Sequence, residues 1–144
     1  MNIFQATADH SQMLAFLDNT RPFSAHWTLM DWQEELAQVT SCVWCAEENG
    51  EIIGFIALRG AAGQYEILNL AVAASHARLG IGRRLIRQAC MFLTQRGAQQ
   101  ISLEVSAANL PAQGLYLNTG FKRVGVRKQF YADGSDGLIM EKKL

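Results

Sequence analysis

The feature that most constrains the fold is a strand–helix–strand unit in the middle of the chain. Apolar residues recur at helical spacing over residues 82–96, and Gly97 is a typical helix stop. The segments 64–72 before this helix and 100–105 after it have the composition of strands. A helix that connects two neighbouring strands of one sheet makes them parallel, so the sheet cannot be wholly antiparallel.

Around this unit the sequence predicts further strands and amphipathic helices. Asn49-Gly50 is a strong hairpin signal, which makes its two flanking strands antiparallel. The order of elements predicts an α/β fold with a mixed sheet and helices on both faces, in a single domain over residues 1–144. The other predicted strands are 3–6, 41–47, 51–58, 122–130 and 137–142, and the other predicted helices are 9–19, 28–38 and 112–118.

Composition argues against several classes of protein. The 13 basic residues are balanced by 13 acidic ones, whereas bulk binding of nucleic acid needs a basic surface. No apolar run reaches the about 18 residues that a membrane span requires. The N-terminal residues lack the basic and apolar pattern of a secretion signal. We therefore expect a cytoplasmic protein with neither a nucleic acid nor a membrane as partner.

The cysteines form one short motif that could indicate zinc or redox chemistry. Cys42 and Cys45 are spaced as C-x-x-C, but they lie in a predicted strand, where residues three apart point to opposite faces. The chain has no second pair of this kind, and its three histidines show no metal-ligand spacing. We expect buried, reduced thiols and no metal, and Cys90 within the central helix has no histidine near it in sequence.

The most informative motif is Gly80-Ile81-Gly82, at the start of the central helix. Two glycines allow the backbone to approach a ligand closely, and the helix offers unpaired N–H groups at its positive end. Such an anion cradle suits a pyrophosphate, and Arg78 and Arg83 add positive charge. The Gly-Lys-Ser/Thr of a P-loop and the three glycines of a dinucleotide fingerprint are absent. A plain loop before an amphipathic helix remains the alternative.

The segments around this loop extend the pattern. They are L-N-L-A-V at 68–72, L-E-V at 103–105, Asn109, L-Y-L-N-T-G-F at 115–121, and an aromatic pair with a D-G turn at 130–134. In this order they resemble the GNAT family of N-acetyltransferases, and within it the RimI-type group, which acetylates the N-terminal alanine of a ribosomal protein. The strong part of the resemblance covers residues 66–140. Ala77 departs from it, because the family usually has Gln or Arg there.

The resemblance implies a central, mostly antiparallel mixed sheet and transfer of acetyl from acetyl-CoA to an amine by direct attack. The implied acceptor is the N-terminal α-amine of a protein such as a ribosomal protein. A small-molecule amine, or an acetyl-CoA sensor without chemistry, stay open as alternatives. The residues expected to bind the cofactor are Leu70, Ala71, Val72, Arg78, Leu79, Gly80, Ile81, Gly82, Arg83, Asn109 and Tyr116.

Two residues are the candidate catalytic groups. Strand alternation puts Glu104 on the face opposite its apolar neighbours, and its position matches the general base of RimI-type enzymes. Glu66, one strand over, is the rival base, acting directly or through water. Tyr116 matches the family's general acid, which protonates the departing sulfur. Asn109 is expected to bind the pantetheine arm or to cap a helix.

The candidate acceptor residues are Trp27, Glu66, Phe130 and Tyr131, each with core packing as the alternative. Trp27 lies between the first two helices, where the family builds its acceptor pockets. The chemistry of the acceptor favours an α-amine, of which about 10% is neutral at pH 7, against about 0.04% of a lysine amine. A single carboxylate that relays the proton through water can therefore deprotonate an α-amine more easily than a lysine amine.

Overall fold

Seven strands form one sheet in the computed structural model, which describes residues 1–144. The strands are β1 (Asn2–Gln5), β2 (Ser41–Glu48), β3 (Glu51–Ala61), β4 (Gln64–Val72), β5 (Gln100–Ser106), β6 (Lys122–Arg127) and β7 (Gly137–Lys143). They lie in the order β1-β2-β3-β4-β5-β7-β6, and only β4 and β5 are parallel neighbours. The prediction of a mixed, mostly antiparallel sheet is confirmed.

Four α-helices cover the two faces of this sheet. They are α1 (Ser11–Asp18), α2 (Leu29–Ala37), α3 (Ile81–Gln95) and α4 (Leu110–Asn118), with short 3-10 helices at Ala8–His10 and Ala74–His76. Leu14, Leu17 and Trp32 of α1 and α2 are buried on one face. Leu85 of α3 and Tyr116 of α4 are buried on the other. Helices therefore lie on both faces, as the sequence predicts.

Local signals explain most of the boundaries. At the start of α2 the Asp31 N–H donates to Thr28 Oγ1 over 3.1 Å, and the Thr28 N–H donates to Asp31 Oδ2 over 2.9 Å, which is a capping box. Helix α4 begins two residues before the predicted position, because Asn109 Oδ1 accepts from the Ala112 N–H. The predicted helix over 9–19 is split into a 3-10 turn and α1.

Two strand boundaries differ from the prediction. Strand β3 runs to Ala61 rather than ending at residue 58, because a two-residue turn at Ala62-Gly63 with φ values of 53° and 83° continues the hairpin. Strand β6 ends at Arg127 rather than at residue 130. The cause is Gln129, which has a φ of 51° and donates its N–H to Asp136 Oδ1 over 2.9 Å, so the chain leaves the sheet there.

The C-x-x-C pair behaves as strand geometry requires. Cys42 packs in the core on the α3 side and Cys45 in the core on the α1–α2 side, so their thiols face away from each other. All three cysteines are free, and burial raises the pKa of both strand thiols, that of Cys45 to about 12. No helix of the structure has the length and apolar character needed to span a membrane.

Candidate active site

The site begins where the two parallel strands separate. Strands β4 and β5 pair only from Gln64↔Gln100 to Ile67↔Leu103, although β4 continues to Val72 and β5 to Ser106. The cause lies on the other side of β4: Ile67 pairs with Leu58 and Asn69 with Ala57, so Leu68 between them is a β-bulge. A bulge bends a strand, and beyond it the β4 edge that faces β5 has no strand partner.

An open cavity of about 600 Å³ occupies this wedge. Residues 67–70 of β4 and 103–106 of β5 form its two strand walls. The loop between α1 and α2 contributes residues 22–26, helix α4 contributes Ala112 and Tyr116, and the loop between β6 and β7 contributes residues 131–133. Five separate parts of the chain therefore meet around one space at the centre of the sheet.

Glu104 projects from β5 into the wall of the cavity, with only 18% of its side chain exposed. Its Oε1 lies 3.2 Å from Arg127 Nε in an ion pair. Its Oε2 is buried and has no hydrogen-bond partner. The carboxylate lies directly over Gly137, where a Cβ atom would come within 3.0 Å of Oε2. One oxygen is thus held by a cation and the other is a free acceptor, which is costly in a buried position unless a ligand uses it.

Tyr116 reaches the same cavity from helix α4. Its ring is 6% exposed and packs edge-on against Phe121 with the centroids 5.5 Å apart. Its hydroxyl makes no hydrogen bond to another group of the protein. Burial raises the pKa of this phenol well above its usual value, so the hydroxyl keeps its proton throughout the physiological pH range.

Only one residue of the aromatic pair after β6 lines the cavity. Tyr131 lines the cavity, and burial together with the nearby charge of Glu104 raises its pKa. Phe130 lies outside the cavity and is 50% exposed. Its ring packs against that of Tyr131 at 5.1 Å, and the Arg127 guanidinium lies 5.2 Å from its centroid. An acceptor role for Tyr131 therefore stays a prediction, and Phe130 packs against Tyr131 from outside the cavity.

Two predicted acceptor residues do not reach the cavity. The Trp27 ring packs against Trp32 at 4.7 Å in the core beneath α1 and α2, so the alternative of core packing applies to it. Glu66 is exposed and lies opposite Arg59, whose guanidinium pairs with Glu35 of α2. It precedes the bulge, where β4 is still paired with β5, and it faces the α2 side of the sheet.

Sequence patterns missed a polar cluster behind the α1–α2 loop. Asp18, Asn69 and Ser24 have no periodic or motif signal, but the structure joins them by hydrogen bonds next to the cavity. His26 also lines the cavity. Partners as distant as residues 18 and 69 meet only through the tertiary fold, so single-sequence reasoning has no means of pairing them.

The glycine loop has the geometry of an anion cradle. Gly80 precedes α3 with a φ of 81°, a left-handed conformation that favours glycine, and no side chain caps the helix. The first N–H groups of α3 are therefore free to bind a ligand. A Cβ atom on Gly82 would come within 2.9 Å of Leu115 Cδ2, so this glycine also lets α4 pack closely. The loop lies outside the cavity wall and next to α4, which forms part of that wall.

Comparison with known proteins identifies the family. Residues 8–121 match the model of the Acetyltransferase (GNAT) family. The chain belongs to the GNAT family. It is accordingly an N-acetyltransferase, and GNAT enzymes use acetyl-CoA.

Three relatives illustrate where this GNAT enzyme stands. It is 31% identical over 121 residues to the N-alpha-acetyltransferase RimI of Mycobacterium tuberculosis. The alignment covers 81% of this chain and 75% of the relative. It is 32% identical over 120 residues to an N-alpha-acetyltransferase of Sulfurisphaera tokodaii, with 74% and 72% covered. The crystal structure of the ribosomal-protein-S18-alanine N-acetyltransferase from Escherichia coli has the same fold, with a TM-score of 0.88, 22% identity, and 99% and 92% covered.

The GNAT cofactor fits the residues present. The α3 N-terminus suits a pyrophosphate, and the edge of β4 over residues 68–72 offers main-chain groups with which an amide-bearing arm could pair as a further strand does. The side-chain oxygen of Asn109 accepts from the Ala112 N–H over 3.3 Å, so Asn109 caps helix α4. The residue also lines the cavity. Leu79 is 67% exposed beside the cradle.

Proposed function

We propose that this enzyme acetylates the N-terminal α-amine of a protein, with a ribosomal protein as the first candidate. The observation that carries the proposal is the open cavity into which both Glu104 and Tyr116 reach, one from a strand and one from a helix. An open space walled by two loops can admit the end of a chain. The names of the relatives, as N-alpha-acetyltransferases and as an enzyme for ribosomal protein S18, support the same acceptor class.

Glu104 is proposed as the general base. Acetyl-CoA, when bound, supplies the acetyl group as an activated thioester. The free Oε2 of Glu104 accepts a proton from the acceptor ammonium, directly or through water, while the Arg127 guanidinium on Oε1 holds the carboxylate in position. An α-amine has a pKa near 7.7–8.0, so this carboxylate has to remove only a loosely held proton.

Tyr116 is proposed as the general acid. Its raised pKa keeps the phenol protonated, and its hydroxyl has no competing partner within the protein. It can therefore give its proton to the sulfur that leaves. The residues proposed to hold the cofactor are main-chain groups of Leu70, Ala71 and Val72 on the open strand edge, the segment from Arg78 to Arg83 around the pyrophosphate, and Asn109 with Tyr116 along the arm.

The test is intact-mass spectrometry of a host ribosomal peptide that begins with alanine, incubated with the enzyme and acetyl-CoA. An N-terminally blocked copy of the peptide, carrying an internal lysine, runs beside it. We expect one added acetyl group on the free peptide and none on the blocked copy. Transfer to the blocked copy would indicate a lysine acceptor, and no transfer with bound acetyl-CoA would refute the proposed acceptor.

Two carboxylate variants then separate the candidate bases. Glu104→Gln keeps the size of the side chain and is expected to lower kcat by about 10²-fold or more. Glu66 is exposed and does not line the cavity, so Glu66→Gln is expected to change kcat by less than about threefold, because a surface substitution has a small effect. If instead Glu66→Gln abolishes turnover and Glu104→Gln does not, the assignment of the base is reversed.

A further inference from the structure

The carboxylate of Asp18, at the end of α1, is completely buried and receives four hydrogen bonds. Its Oδ1 accepts from the His26 N–H at 2.9 Å. Its Oδ2 accepts from the Trp27 N–H at 2.8 Å, Trp32 Nε1 at 3.2 Å and Asn69 Nδ2 at 2.9 Å. Two of these donors belong to the backbone of the α1–α2 loop, which is a wall of the cavity.

Further bonds fix the same loop residue by residue. The Ala25 N–H donates to Asn69 Oδ1 over 3.1 Å, and Ser24 Oγ donates to the Asp18 carbonyl over 2.5 Å. At the far end of the segment, Asn19 Nδ2 donates to the Trp27 carbonyl over 2.8 Å. Every residue from 24 to 27 is therefore tied to α1, to the turn after it or to β4, although the loop is at the surface.

Only an anion satisfies this arrangement. All four partners of Asp18 are donors, and a carboxylate is the side chain that accepts on both of its oxygens. An amide in its place would turn an NH₂ group toward one of these N–H donors. Burying a carboxylate is costly unless it is fully hydrogen-bonded, and an apolar side chain in this layer would avoid that cost. A carboxylate at this position therefore serves to hold the loop.

The network also connects the loop to the wedge. Asn69, which contacts both Asp18 and Ala25, is the residue after the bulge at Leu68, where β4 leaves β5. The loop is thus hydrogen-bonded to β4, the strand whose open edge lines the cavity. Asp18 and Asn69 therefore tie one wall of the cavity to another.

We propose that Asp18 is a positioning residue that holds residues 24–27 in place through Asn69 and so sets which acceptor amines the cavity admits. Asp18 does not line the cavity, and it acts on the acceptor only through the loop. The inference rests on the proposed function for the identity of the acceptor. The order of the loop itself does not depend on that function, and can be measured separately.

Asp18→Asn is the principal variant and Glu35→Gln the matched control. Both remove a buried carboxylate from the α1–α2 layer, but Glu35 pairs with Arg59 away from the cavity. Asn69→Ala is a second variant, which removes the tie to Ala25 and leaves Asp18 three donors. Steady-state kinetics with the alanine-starting peptide would be measured below the melting temperature of every variant, together with hydrogen exchange of the peptide spanning residues 20–28.

We expect Asp18→Asn and Asn69→Ala to raise the acceptor KM about tenfold, as the loss of a hydrogen bond to a charged group does. The KM for acetyl-CoA should stay within about twofold, since Asp18 lies outside the cavity and Asn69→Ala leaves the main chain of the β4 edge in place. Hydrogen exchange over residues 20–28 should be faster than in the wild type in both variants, and unchanged in Glu35→Gln.

Unchanged acceptor KM and unchanged exchange would overturn the inference, as would equal effects in the Glu35→Gln control. If Asp18→Asn does not fold, Asn69→Ala decides alone. If the wild-type enzyme transfers nothing to the peptide, the proposed acceptor fails, and the exchange measurement still reports on the loop.

Discussion

A methyl group at position 137 provides a sharp test of whether the placement of Glu104 governs the rate. Gly137 lies on β7 beneath the Glu104 side chain, and a Cβ atom there would be 3.0 Å from Oε2, 3.2 Å from Cδ and 3.3 Å from Cγ. Carbon atoms pack at about 3.5–4.0 Å, so Gly137→Ala displaces the carboxylate by about 0.3–0.8 Å. The main chain of both strands can stay in place.

The size of the effect follows from the sensitivity of proton transfer to geometry. A misplacement of about 1 Å costs about 10²-fold in rate, so this smaller shift should lower kcat by about 4- to 40-fold. The acetyl-CoA KM should hardly change, because the proposed cofactor cradle lies at the start of α3. Gly125→Ala on β6 is the matched control, because its nearest neighbour, Ile139 Cδ1, would be at an ordinary 3.4 Å.

The assay is turnover of the alanine-starting peptide by mass spectrometry, with a thermal melt for each variant. Replacing glycine by alanine also restricts the unfolded chain, so neither variant is expected to lose more than about 1 kcal/mol of stability. An unchanged kcat in Gly137→Ala would refute the claim that the placement of Glu104 governs the rate. An equal fall in Gly125→Ala would instead indicate a general effect of substitution in this part of the sheet.

Four further outcomes are expected. Tyr116→Phe should lower kcat by about 10²-fold with little change in melting temperature, because the hydroxyl has no protein partner to lose. Since burial raises the pKa of Tyr116, the folded state holds this proton longer than the unfolded state, so stability should fall as the pH rises above about 10, and less steeply in Tyr116→Phe. Gly80→Ala should raise the dissociation constant of coenzyme A about fivefold in calorimetry, since its φ of 81° costs a side chain about 1 kcal/mol. Burial raises the pKa of Cys42, Cys45 and Cys90, so a thiol reagent at pH 8 should modify them slowly by intact mass, and rapidly once the protein is unfolded.

The elements that sequence reasoning predicted well depend on short-range signals. The central helix was expected over 82–96 and spans Ile81–Gln95, because an apolar stripe and a terminal glycine determine it locally. The same holds for the capping box of α2 and the hairpin at Asn49-Gly50. Family resemblance added Glu104 and Tyr116, which the fold brings to one cavity.

The features that the sequence did not predict depend on contacts between distant residues. The bulge at Leu68 is a property of the register between β3 and β4 rather than of its own side chain. Trp27 follows a loop and was an attractive pocket residue, but the space beside Trp32 in the core accommodates it. Phe130 ends a segment with the composition of a strand, yet the left-handed Gln129 before it terminates β6. In each case a tertiary constraint overrides a local preference.

The separation of β4 from β5 also bears on how such an enzyme can diverge under mutation. The strand edge over residues 68–72 presents main-chain atoms, which no side-chain substitution other than proline can delete. The proposed acceptor walls at 22–26 and 131–133 are loops, where replacements, insertions and deletions are tolerated best. Under the proposed function, mutation of the loops can therefore change the accepted amine while the strand edge proposed to hold the cofactor persists. Among homologues with this sheet, we expect the strand edge to vary little and the two loops to vary most.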